Sequence, residues 1–270
     1  MVPLALCWLT IPSAEPIELL RAAAAGGFAS VGMRVVESGE PDKPYVGGGG
    51  ESATIVKRAA AAEGVSIFRT AGFRLDGRYS AERYYRYLEA SAQLGAGIIG
   101  VIVTDNDRSR LTADFADLCT RASEFGLSVG VEFVPFSTVK TIEDAYDLLV
   151  RSEQSNGSIL LDSMHLYRSG GNADSVRRIP PSRISVAQLC DCRMAAPEPS
   201  KLLEEARNDR LDPGEGELPL FDFMEVVPPG IPLEIETPCL AQRDLTPIER
   251  AKRTGQATRK FLDDFQRARG

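Results

Sequence analysis

Ser128-Val129-Gly130-Val131-Glu132, a helical stretch, and then Ser158-Ile159-Leu160-Leu161-Asp162 are the runs on which the fold turns. Each is short and almost wholly apolar, the mark of a strand buried on both faces of a parallel sheet. Each also ends in a carboxylate. Two later runs repeat the pattern: Ile184-Ser185-Val186-Ala187-Gln188 and Pro232-Leu233-Glu234-Ile235-Glu236. A carboxylate at the end of a buried strand is costly to desolvate unless something pairs with it. Four oxygen donors brought together at one end of a barrel would suit a divalent metal ion.

Working outward, strand-like and helix-like segments alternate along the whole chain. Strands are expected at residues 4–11, 28–36, 65–70, 98–104, 127–133, 158–163, 184–189 and 233–236. The helix after the first strand opens with Ser13 as its cap and closes at Gly26-Gly27. Further helices are expected at residues 52–63, 81–94, 112–125, 142–155, 173–178, 201–208, 220–226 and 247–268. Eight strands, each followed by a helix, predict one (β/α)₈ TIM barrel spanning residues 1–270 as a single domain. The last connection carries an insertion, residues 190–219. Side chains alternate along a strand, so Ser128, Gly130 and Glu132 share a face, and the small ones leave room at the barrel axis. Active sites of such barrels lie at the carboxyl ends of the strands, where all four donors fall.

Composition narrows the function. Hydrophobic residues make up 43% and charged residues 26% of the 270, as in soluble globular proteins. A net charge of −7 argues against a nucleic-acid partner, which calls for a basic surface. The apolar N-terminal residues 1–14 lack the basic start of a signal peptide, and no run approaches the length of a membrane span. A cytoplasmic protein with no membrane partner is the expectation. Five cysteines, none in a Cys-x-x-Cys spacing, read as buried thiols in a reducing compartment.

Several motifs together resemble one family. They are Val131-Glu132-Phe133-Val134-Pro135, Leu161-Asp162-Ser163-Met164-His165 and Val186-Ala187-Gln188-Leu189-Cys190-Asp191. Arg210, with Pro213-Gly214-Glu215-Gly216-Glu217, and Leu233-Glu234-Ile235-Glu236-Thr237-Pro238 complete the set. In this order they resemble the sugar phosphate isomerase/epimerase family of the xylose-isomerase-like barrel superfamily, which includes tagatose and psicose epimerases and inosose dehydratases. The resemblance implies one divalent ion, manganese, magnesium or cobalt, held by Glu132, Asp162, Gln188 and Glu236. Gln188 stands where many members carry His, and an amide oxygen makes zinc the less suited metal. Glu234, two residues from Glu236 on the same strand face, competes for the fourth place.

The resemblance also assigns roles. Glu132 and Glu236 become an acid/base pair, and His165, the only histidine, contacts a substrate oxygen. One histidine cannot build the trinuclear zinc site of the related apurinic endonucleases. Among the arginines, Arg168, Arg193 and Arg210 are candidate substrate contacts, since the guanidinium fork fits carboxylate or phosphate. Arg34, Arg69 and Arg74 lie at or beside strand ends and are weaker candidates. The implied activity is a metal-dependent isomerase or epimerase of a sugar or sugar-like polyol ketone. A dehydratase of an inosose- or dehydroshikimate-like substrate is the alternative, and a non-catalytic sugar-binding barrel a third. Barrels of this kind often pair, so a homodimer is expected.

Overall fold

Eight parallel strands close on themselves in chain order, each pairing with its sequence neighbours and the last returning to the first. The computed structural model describes residues 4–37 and 44–270. The strands are β1 (Leu4–Cys7), β2 (Ser30–Arg34), β3 (Ser66–Leu75), β4 (Ile98–Val103), β5 (Ser128–Glu132), β6 (Gly157–Asp162), β7 (Ile184–Leu189) and β8 (Leu233–Ile235). The helices are α1 (Pro16–Gly26), α2 (Glu51–Glu63), α3 (Ala81–Leu94), α4 (Arg108–Ser123), α5 (Ile142–Ser152), α6 (Ser163–Arg168), α7 (Ala173–Arg177), α8 (Leu202–Asn208), α9 (Leu220–Val226) and α10 (Pro247–Arg269). This is the TIM barrel that the alternating pattern called for. No helix among the described residues is long and apolar enough to cross a membrane.

Local chemistry explains the element ends. Thr141 and Asp144 cap α5 reciprocally, as Thr246 and Glu249 cap α10, so each helix satisfies amides that its first turn leaves unpaired. The cap of α1 is Glu15, not Ser13: its backbone amide donates to Glu18 at 3.0 Å, and Pro16 takes the first helical position, where no amide is needed. Helix α10 closes the ring against α1 at a backbone contact. A Cβ on Gly255 would lie 2.3 Å from the Gly26 carbonyl oxygen, so only glycine fits there.

Two strands depart from the sequence reading. β1 stops at Cys7, and residues 8–10 form a single 3₁₀ turn instead of continuing to residue 11. β3 runs on to Leu75, five residues beyond expectation. Gly72, at φ +106°, lets the strand pass an irregularity between Thr70 and Phe73, and the extension carries Phe73 and Arg74 to the barrel mouth. Helix α6 was not anticipated at all. It begins directly after β6, with Asp162 as its cap.

The barrel interior is not wholly apolar. Leu160 fills the space over Gly130, where a Cβ would meet its Cδ2 at 2.6 Å. Two further glycines make room for an ion pair: Glu234 occupies the space over Gly32, and Arg69 the space over Gly100, which pairs with Gly130 on the next strand. Interiors of such barrels are normally filled by branched aliphatic side chains. Here one layer is charged, and it lies beneath the donors at the strand ends.

Candidate active site

The carboxyl ends of the strands open into a cleft of about 600 Å³. Its polar floor contains Glu132, His165, Arg210, Glu236 and Arg69. Each functional side chain is positioned by a distinct piece of local structure. Glu132 is the last residue of β5. Asp162 ends β6 and caps α6, its Oδ1 accepting the His165 amide at 2.8 Å. That cap turns the chain so that the His165 ring comes back beside the strand ends. Glu236 follows β8, where the next residue, Thr237, is fixed by its amide donating to Thr10 Oγ1 and its hydroxyl donating to Asp212.

Arg210 arrives from the insertion, which is stitched down on both sides. Isolated bridges join Asp191 to Leu211 and Asp209 to Cys239, and the Arg210 amide donates to the Pro238 carbonyl at 3.0 Å. Asp191 organises the rest of the insertion. Its carboxylate accepts the amides of Cys192, Gly214, Gly216 and Leu218, and a Cβ on Gly216 would come within 2.4 Å of Oδ1. The guanidinium thus delivered is 2% exposed and engaged on every edge. Nε donates to the Ala206 carbonyl, Nη1 donates to Asp162 Oδ2 at 2.6 Å and lies 3.4 Å from Glu236 Oε2, and Nη2 donates to His165 Nε2 at 3.2 Å. A guanidinium has only hydrogens to offer, so His165 Nε2 is the acceptor and the neutral ring carries its proton on Nδ1. Burial pushes the His165 pKa down to about 4, consistent with that neutral form.

The electrostatics are those of a site with too many acids. Burial, together with the charges of Glu236 and Asp162, pushes Glu132 up to about 8. Burial alone would raise Asp162 as well, but Arg210 beside it holds its pKa below the usual carboxylate range. Four carboxylates, Glu132, Asp162, Glu234 and Glu236, share two buried guanidiniums, Arg69 and Arg210. His165 Nδ1, Gln188 Oε1 and Arg69 Nε are among the polar atoms buried here without partners. Ligand atoms of Glu132, Asp162 and His165 all lie within 4.8 Å of one another. Surplus negative charge, a compact donor set and an orphaned amide oxygen together fit a divalent cation.

The structure gathers Glu132, Asp162, His165, Gln188, Glu236 and Arg210, and rearranges some expectations. Gln188 turns its nitrogen inward: Nε2 donates to Glu236 Oε2 at 2.9 Å, so its oxygen would face an ion only after an amide flip. Glu234 is withdrawn from competition, because both its oxygens accept from Arg69 below the cleft. Arg168 does not line the cleft. It donates to Glu205 and to the Arg193 and Met194 carbonyls, clamping the insertion to α6. Arg193 is exposed and does not line the cleft. Arg210 lines the cleft, but its hydrogen bonds go to protein groups. Cys7 was missed: its thiol donates to Glu236 Oε1 at 3.2 Å, a contact that no spacing in the sequence signals.

Residues 20–262 match the xylose isomerase-like TIM barrel family. The chain belongs to that family. A member from Pseudomonas aeruginosa described as 3-dehydroshikimate dehydratase is 31% identical over 223 residues, 78% of this chain and 33% of that protein. An inosose isomerase from Bacillus subtilis is 29% identical over 106 residues, 38% of this chain and 36% of that protein. The chain therefore spans about a third of the length of each of these curated relatives. A solved structure described as the IOLI protein with a bound zinc atom superposes with a TM-score of 0.79 over 98% of both chains, at 17% identity, a likeness of fold.

Proposed function

We propose that this chain is a metal-dependent enzyme that removes a proton beside the carbonyl of a small sugar-like polyol ketone. The observation that carries this reading is the acid surplus at the cleft end of β5 to β8, with Glu132, Asp162 and His165 converging within 4.8 Å. One divalent ion, manganese, magnesium or cobalt, would be held by Glu132, Asp162 and Glu236, with a neutral fourth donor from Gln188 after an amide flip or from His165 once its Nε2 gives up Arg210. When bound, it supplies Lewis-acid polarisation of the substrate carbonyl.

The chain's own groups perform the proton chemistry. Arg210 fixes the positions of Asp162 and Glu236. Glu132 takes the proton from the carbon, and Glu236, held by the Cys7 thiol and Gln188, returns it. Neutral His165, edge-on to Phe136 at 5.8 Å, holds a substrate oxygen by a hydrogen bond. Return of the proton to the opposite face gives epimerisation, and return to the neighbouring carbon gives isomerisation. Two observations favour a second outcome, dehydration. The dehydratase relative matches 223 residues against 106 for the isomerase, and the cleft is lined with arginines that suit an acidic ketone. In that case Glu132 takes the α-proton, the C–H electron pair becomes a C=C bond, and the β-hydroxyl leaves as water with a proton from Glu236.

The test combines metal analysis with solvent exchange. Wild type should carry about one divalent ion per chain by mass spectrometry and catalyse deuterium incorporation beside the carbonyl of an inosose or of 3-dehydroshikimate. Glu132→Gln should lower exchange by about 10²- to 10⁴-fold, the usual worth of a general base. Metal content in Gln188→Leu and His165→Phe decides which residue is the neutral ligand. Wild type that retains no metal after soaking and exchanges no proton would sink the reading. A growing conjugated chromophore separates dehydration from isomerisation.

A further inference from the structure

Arg69 leaves β3 and crosses the barrel to Glu234 on β8. Both Glu234 oxygens accept from the same nitrogen, Nη2, at 2.8 and 2.6 Å, and the Cys7 sulfur lies 3.8 Å from that nitrogen. A guanidinium carries five N–H groups. The remaining three, on Nη1 and Nε, have no acceptor among the described residues, although the residue is only 2% exposed and its Nε is fully buried. Nη1 lies over Gly100, 2.5 Å from where a Cβ would stand, and both Arg69 and Gly100 line the cleft. Buried donors on a cation are costly to leave unmet. Here they belong to a side chain locked in place by its other edge.

The charge around it is mixed. Arg34, Arg74, Arg78, Arg83 and Arg207 line the cleft together with Glu37, Asp76, Glu132 and Glu236, and Arg78 is paired with Asp76. Against those acids, the arginines supply the positive charge that an anionic guest would meet.

We propose that Arg69 is a substrate-contacting residue, the N–H groups of its Nη1 receiving an anionic oxygen of an acidic polyol ketone. The inference rests on the function proposed above. Glu234 fixes Nη2, so the free edge is preorganised and little side-chain order is lost on binding. The anionic oxygen expected is a carboxylate carried by the substrate. An enolate oxygen formed during proton removal offers the same chemistry and is separated by the test.

The experiment uses the paired variant Arg69→Gln/Glu234→Gln, which removes both charges and strands neither. Circular dichroism and metal content establish that the fold and the donor cluster persist. The metal-loaded protein is then titrated calorimetrically with 3-dehydroshikimate, an acid, and with an inosose, a neutral ketone. The acid should bind about 10- to 100-fold more weakly than to wild type, as for loss of a hydrogen bond to a charged group, while inosose binding holds. Unchanged binding of both with a lower kcat would support Arg69 as a contact and assign the oxygen to the enolate. Equal weakening of both ligands, or no change in binding and kcat, overturns the proposal while leaving the proposed function standing. Wild type that binds neither ligand overturns both. If the paired variant fails to fold, Arg69→Lys, which keeps a charge at the ion pair, is read by the same titrations.

Discussion

Two arginines lie buried at the centre of this barrel, and they are used in opposite ways. Arg210 spends its guanidinium on a backbone carbonyl, a carboxylate and an imidazole, leaving no edge free. Arg69 spends one nitrogen on one carboxylate and leaves Nη1 and a fully buried Nε without a protein acceptor among the described residues. Arg210 is therefore a brace: it fixes where the donors of the candidate metal site stand. Arg69 is a reader, held from behind with its working edge outward. Burial alone does not distinguish these roles, since both side chains are about equally enclosed. The number of edges still free does.

The largest expected effect separates the two. Arg210→Met strands Asp162 and Glu236 together, so unfolding free energy should fall by about 3–5 kcal/mol, measured by denaturant titration without metal. Added divalent cation should recover part of the loss, and no single neutralisation elsewhere should. Arg69→Met should cost a similar amount, but adding Glu234→Gln should restore most of it, because that pair has only one acid. If a single neutralisation rescues both variants, or neither, the distinction between brace and reader is wrong.

A smaller effect tests the room made for the charged layer. Gly32→Ala would press a methyl group within 1.8 Å of Glu234 Oε1, and Gly100→Ala one within 2.5 Å of Arg69 Nη1. Each should cost about 1–3 kcal/mol by overpacking, read as a fall in melting temperature. Gly100→Ala should also disturb acid binding, since it displaces the free edge of Arg69. Gly32→Ala should reach that edge only indirectly.

The smallest effect comes from an ion pair at the rim, where water screens what it does not screen at the centre. Asp105 accepts from Arg110 Nε and Nη2, and those bonds hold its pKa below the usual value. A lowered folded pKa stabilises above the unfolded value and loses that contribution as pH falls through the folded one. The contribution should therefore be intact at neutral pH and be lost progressively as pH falls below about 4 and through the folded value. With Arg110 half exposed, Asp105→Asn should cost no more than about 1 kcal/mol at pH 7 and nothing near pH 2, by thermal melts across pH.

Much of this was legible in the chain, for reasons that can be named. Buried parallel strands are nearly continuous apolar runs, so a polar residue at their ends stands out, and Glu132, Asp162, Gln188 and Glu236 were found that way. Other features carried no periodic signal. Helix α6 has six residues, too few for a helical repeat to show, and its cap is Asp162, already assigned to the strand. The end of β3 hid behind Gly72, which reads as a break but acts as a bulge. The arginines misled most. Sequence treats an arginine as exposed by default, yet Arg69 and Arg210 are buried by partners far along the chain, while Arg168 serves the insertion and Arg193 faces solvent. Long-range pairing is invisible to local spacing.

The cap at the start of α6 has a practical consequence. The backbone N–H of His165 ends on Asp162 Oδ1, while Oδ2 of the same carboxylate faces Arg210. That amide is therefore a resident reporter of the carboxylate's condition. Its deuterium uptake should slow when Asp162 is held more firmly and quicken when the carboxylate is pulled away. Occupancy of the candidate site could thus be followed at a single backbone amide.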